Sequence, residues 1–176
     1  MKKILAVLLA TTSIAAFADN DLYFGGGAGA TWNKVNTAGF AVRLNGGYNF
    51  DDYLAVELGT TNIAQAGSGE LNQNLQFWDL SIKGTMPLGE TIGLFGQVGG
   101  AYGIPGFTAA PSGNNETIAI DNPTIAQDAW DILAAAGVQY NLTKKTAVTL
   151  TDYYYFGSTQ YQGNTNVVLA GLKYNF

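Results

Sequence analysis

The sequence contains no cysteine and no histidine, and it is poor in basic residues, with 8 Lys and Arg against 13 Asp and Glu. Each shortage closes a class of function. Without Cys an exported domain has no disulfide framework, so its cohesion must come from packing and hydrogen bonds. Without His the usual general base near neutral pH and the commonest metal ligand are gone. Ser-His-Asp and Cys-His catalysis and the usual zinc centres go with them. An acidic balance with no basic patch argues against nucleic-acid partners. Long apolar runs are missing too. After the first 18 residues the longest is Ile132 to Val138, seven residues, against the ~20 that a spanning helix needs.

What is present begins with MKKILAVLLATTSIAAFA. Lys2 and Lys3 form a basic head, Ile4 to Ala10 an apolar stretch, and Ala16-Phe17-Ala18 a small-x-small end. That is the layout of a secretory signal peptide over residues 1–18, cleaved after Ala18. The apolar stretch is too short for a membrane anchor, and no Cys follows that a lipid could modify. Removing the segment leaves 6 basic and 13 acidic residues, net −7, in one domain over residues 19–176.

The remaining chain is rich in Gly (23 in all), Tyr (10) and Phe (9), and shows short alternating segments broken by Gly, Asn, Asp and Pro. No window sustains a helical period, so the pattern is all-β. The alternation predicts eight strands, about 21–32, 39–50, 53–62, 76–86, 91–103, 129–141, 145–157 and 165–176. Their connectors alternate in length. Asp51-Asp52, PLGE (Pro87 to Glu90) and Leu142 to Lys144 are tight. WNKVNTAG, IAQAGSGELNQNL, the 25 residues from Ile104 to Asp128, and STQYQGN are long and polar. Tight turns at one end and long loops at the other suit an antiparallel meander of the transmembrane-barrel kind.

The faces of the strands decide what the meander encloses. Phe40, Val42, Leu44, Tyr48 and Phe50 share one face of the second strand and Arg43 lies on the other. Leu54, Val56 and Leu58 oppose Glu57; Trp78, Leu80, Ile82 and Met86 oppose Asp79 and Lys83; Trp130, Ile132, Val138 and Tyr140 oppose Asp131 and Gln139; and Lys173 opposes the apolar set of the last strand. A soluble sandwich would turn the apolar face inward and the charged face to water. Six isolated charges among Gly, Ala, Ser, Thr and Asn are too few for that surface, which runs ~25–35% charged. They suit the narrow interior of a barrel of ~8 strands. We therefore read an eight-stranded antiparallel up-and-down transmembrane β-barrel, apolar outside and polar inside. Trp32, Phe50, Tyr53, Trp78, Tyr102, Trp130, Tyr140, Tyr174 and Phe176 near the strand ends form its interfacial girdles. One segment resists. In TAVTLTDYYYFG, turning Val148 and Leu150 outward also puts Asp152 in lipid, which is costly. Either a bulge shifts the register or the strand turns its opposite set outward, and Asp152 is expected to face the lumen.

From Leu22 to Phe176 the chain resembles the small outer-membrane barrels of the OmpA and OmpX type. LYFGGGAGATW, YLAVELG, LFGQVGGAYG and the closing GLKYNF carry the likeness. The resemblance implies export through the periplasm to the bacterial outer membrane, embedded in lipid and lipopolysaccharide as a monomer. Leu172, Tyr174 and Phe176 resemble the signal by which the barrel-assembly machinery recognises its substrates. It covers the barrel only; no peptidoglycan-binding domain is expected, and cell-wall tethering is not carried over.

The chemistry-bearing set is Arg43, Glu57, Asp79, Lys83, Gln97, Asp131, Gln139 and Lys173. These residues either pair as buried charges must or form a gate across the lumen, the role that the resemblance implies for a pair such as Arg43 with Glu57. GGGAG (Gly25 to Gly29) is not a dinucleotide loop, because no helix follows. Glu70, Glu116, Asp121 and Asp128 lack calcium-loop spacing and read as solvated loop charges. Asn115-Glu116-Thr117 and Asn141-Leu142-Thr143 match the glycosylation sequon by chance. No catalytic residue, metal or cofactor is expected. The function expected is structural or surface-interactive, for envelope integrity or for an external ligand at the loops. The alternative is a small, narrow or gated porin-like channel.

Overall fold

The computed structural model describes residues 21–33, 38–65, 71–109, 129–157 and 164–176. The expected signal segment and cleavage site, and the loop acids Glu70, Glu116, Asp121 and Asp128, lie outside them. Eight strands run β1 (Leu22–Asn33), β2 (Ala38–Asn49), β3 (Leu54–Gln65), β4 (Leu71–Leu88), β5 (Ile92–Ala109), β6 (Ala129–Asn141), β7 (Thr146–Phe156) and β8 (Thr165–Asn175). Each pairs antiparallel with its neighbour in sequence, and β8 closes on β1 through Tyr23 opposite Asn175. Closure leaves no free edge in the wall, which a bilayer could not satisfy.

The pleat is uninterrupted. Every buried residue carries an odd number, and every exposed large apolar residue an even one, apart from Tyr53 in the β2–β3 turn. One parity therefore faces the lumen throughout. Following the register from Tyr140 in β6 through Val148, Leu172, Gly26, Leu44, Thr60, Trp78 and Tyr102 returns to β6 at Trp130, ten residues along. With ~3.3 Å per residue along a strand and ~4.8 Å between strands, that stagger tilts the strands by about 40°.

Local chemistry explains the tight turns. The Asp51 carboxylate accepts hydrogen bonds from the Tyr53 and Leu54 amides, both at 2.7 Å, in an Asx turn. The Thr143 hydroxyl does the same for Lys145 and Thr146 at 3.1 and 3.0 Å. In the β4–β5 turn Gly89 sits at φ 81°, where a side chain would be strained.

Two expectations are corrected. β4 and β5 outrun the lengths read from the sequence, pairing continuously from Leu88 opposite Ile92 to Leu71 opposite Ala109. The residues from Ile104 to Ala109, read as loop, are strand, because each finds a ladder partner on the equally extended β4. Asp152 does not face the lumen. It is exposed on the outer face, with no bulge in β7, and accepts a hydrogen bond from Asn166 Nδ2 at 2.7 Å. The amide of a neighbouring strand, on the same outward parity, provides what the lumen was expected to provide. GGGAG lies within β1.

Candidate functional site in the barrel interior

Arg43 is the centre of the lumen and only 1% exposed. Its guanidinium makes a two-pronged bond to Asp79, with Nη1 2.6 Å from Oδ2 and Nη2 2.7 Å from Oδ1. Bidentate pairing of this kind fixes orientation as well as charge. Nη2 also reaches Glu57 Oε1 at 3.3 Å, and Nη1 donates to Thr61 Oγ1 at 2.8 Å. The Tyr153 ring lies 4.5 Å from the guanidinium carbon. Space for this group comes from Gly59, where an added Cβ would collide with the guanidinium.

Glu57 carries the network towards the end with the tight turns, the periplasmic end in barrels of this kind, opposite the extracellular end of the long loops. It accepts a 2.7 Å hydrogen bond from the Tyr23 hydroxyl and stands 3.8 Å from Lys83 Nζ. Lys83 in turn lies 4.0 Å over the Phe95 ring. Lys173 lies 4.1 Å over the Tyr23 ring. The eight polar residues singled out from the sequence all occupy inward positions. The structure joins Arg43, Glu57, Asp79 and Lys83 into one chain of contacts. Gln97 pairs across the ladder with Lys83, and Gln139 with Gly93. Asp131 lies near the extracellular end of β6, and Lys173 near the periplasmic end of β8.

Sequence reasoning missed the tyrosines. Tyr23, Tyr153 and Tyr155 share the inward parity with the charges and supply rings and hydroxyls to them. Their signal was that parity itself, hidden for Tyr153 and Tyr155 because an inward Asp152 puts both on the outer face. Tyr155 bonds Thr61 at 2.9 Å and stacks on Phe77, centroids 4.1 Å apart and planes at 10°. Around that stack Ala41, Ile63, Leu75, Ala101, Leu133, Val167 and Leu169 pack into an apolar cluster. The lumen is thus two-layered, with the ion pairs on the periplasmic side and an aromatic–aliphatic cluster on the extracellular side, beside the buried Thr31, Asp131 and Thr165. Outside, Trp78, Tyr102 and Trp130 stand in one hydrogen-bonded row as the upper girdle, with Tyr48, Tyr140 and Tyr174 near the opposite ends of their strands.

The family model for the outer membrane protein beta-barrel domain matches residues 4–176. The chain belongs to that outer-membrane barrel family. Solved structures repeat the fold at low identity. Neisserial surface protein A is 13% identical, with a TM-score of 0.67 over 88% of this chain and 95% of that one. OprG from Pseudomonas aeruginosa is 16% identical, with a TM-score of 0.60 over 89% and 96%. Ail, the attachment invasion locus protein of Yersinia pestis, is 12% identical, with a TM-score of 0.56 over 89% and 97%. No curated protein sequence matches significantly. Membership of the family agrees with the outward apolar band and the closed wall, and supports an outer-membrane location.

Proposed function

We propose that this barrel is a structural and surface-interacting protein of the outer membrane, without catalytic chemistry, acting as a monomer. The observation that carries this reading is the double filling of the lumen. Arg43 is clamped by Asp79 and Glu57, and above it the Phe77–Tyr155 stack closes the extracellular half. A wall filled this way serves as a rigid pedestal. The β4–β5 ribbon continues from the Trp78–Tyr102 row to Leu71 and Ala109, about 20 Å along the strand. Its outer end therefore stands clear of the aromatic row.

The long links carry Glu70, Glu116, Asp121 and Asp128 against Lys34. A neutral or basic external partner therefore fits better than a polyanion. Lipid and lipopolysaccharide surround the apolar band, and the assembly machinery reads Leu172, Tyr174 and Phe176 during biogenesis. Deleting Pro111 to Ile125 should leave folding intact and abolish binding of whole cells to the surface partner. Survival of every surface phenotype after that deletion would sink this reading.

A small gated channel is the second reading, favoured by one observation. Arg43 contacts two carboxylates, at 2.6 Å and 3.3 Å, and an exchange between them would rearrange the polar layer. This reading demands discrete conductance steps from the wild-type barrel in a planar bilayer.

A further inference from the structure

The interior is neutral in count, with Arg43, Lys83 and Lys173 against Glu57, Asp79 and Asp131. It is not neutral along its axis. Asp131 lies near the extracellular end of β6, whereas Lys173 lies near the periplasmic end of β8. On the periplasmic side, Asp79 is committed to Arg43 through two short bonds, and Glu57 is shared between Arg43 and Lys83. Lys173 has the Tyr23 ring beneath it and no carboxylate within ion-pair distance among the described residues. A half-buried ammonium in this position carries charge without a counter-ion, which a low-dielectric interior penalises.

Beside it lies a cavity of about 20 Å³, lined by Arg43, Lys83, Lys173 and Glu57 among its charged groups. Three cations face one carboxylate there. Asn45, Thr149 and Thr151 add amide and hydroxyl groups to the lining. Arg43 Nε, on a side chain that is 1% exposed, has no hydrogen-bond partner, so one of the lining residues carries an unsatisfied buried N–H. The volume accommodates about one water-sized body. It admits a monatomic anion and excludes phosphate, sulfate or a carboxylate. Lys173 is part-exposed on the periplasmic side, which gives an entry path.

We propose that the lumen binds a single halide ion between Lys173, Lys83 and the Arg43 Nε–H, on the periplasmic side of the Arg43–Asp79 bridge. The ion balances Lys173 and accepts the otherwise unsatisfied donor, so the charged layer is complete only when it is loaded. Its affinity adds to the stability of the folded barrel by mass action.

The test is the heat-unfolding midpoint of the full-length refolded barrel in detergent, in sodium chloride against sodium gluconate at equal ionic strength. The wild type should unfold at lower temperature in gluconate and recover as chloride or bromide is added. Lys173→Met should lose that response, and Lys144→Met, in an exposed turn, should keep it. A wild-type midpoint indifferent to the anion overturns the proposal, as does a Lys173→Met barrel that responds fully. Should Lys173→Met not fold, wild-type crystals soaked in bromide decide it. An anomalous peak between Lys173 and Lys83 supports the site, and its absence overturns it.

Discussion

Arg43 shows what a single buried charge demands of its surroundings. Two carboxylates, a threonine hydroxyl and a tyrosine face all converge on one guanidinium. Removing it strands Asp79 as a buried anion and leaves Glu57 to Lys83 and Tyr23, so Arg43→Met should destabilise the barrel by about 3–5 kcal/mol in urea titrations in lipid. The double change Arg43→Met, Asp79→Asn should recover much of that loss, because Glu57 keeps Lys83 as its counter-ion and Asp79 is no longer a stranded anion. Asp152 gives the opposite case. It is the fourth of six outward positions on β7, between Val148–Leu150 and Tyr154–Phe156, and Asn166 donates a hydrogen bond to it. Asp152→Leu should therefore stabilise the barrel by about 1 kcal/mol in the same titration. The polar interior was readable at Arg43 because alternation separated it cleanly from Val42 and Leu44. Asp152 was misread because the cost of an acid in lipid was weighed without the cross-strand amide, which a single strand does not display.

At the scale of elements, the hairpin turns and the closing strand set the register. Gly89 holds the β4–β5 turn with a positive φ, and Gly89→Ala should cost about 1 kcal/mol without moving the ladder, measured by equilibrium unfolding. The last strand closes the barrel, with the Phe176 amide donating to the Leu22 carbonyl at 3.1 Å and its ring meeting Tyr174 edge-on at 5.4 Å. Phe176→Asp should impair assembly in cells far more than it weakens an inserted barrel; equal effects would contradict the assembly reading. All eight strands were visible in the sequence because each carries apolar residues on alternate positions. The outer ends of β4 and β5 were not. Leu71 to Leu75 and Ile104 to Ala109 are mixed polar, Gly and Pro sequence, and they become strand because each provides the other's ladder partners.

For the whole molecule, closure, parity and stagger act together. A ten-residue stagger over eight strands makes a lumen that side chains fill, and the sequence distributes them so that the Arg43, Asp79, Glu57 and Lys83 ion pairs lie below the Phe77–Tyr155 stack. The rings were hidden at the sequence level, since Tyr153, Tyr155 and Phe77 are indistinguishable by type from girdle aromatics until the register fixes their side. This double layer means that loosening the ion pairs does not open a path, because Phe77, Tyr155, Ile63 and Leu133 still occupy the upper half. Single-channel recording from refolded protein in a planar bilayer tests this most directly. The wild type and Arg43→Ala should both be silent, and steps should appear only when Phe77→Ala and Tyr155→Ala are added to Arg43→Ala. Discrete conductance from the wild type, altered by Arg43→Ala alone, would contradict the account and make the barrel a gated pore.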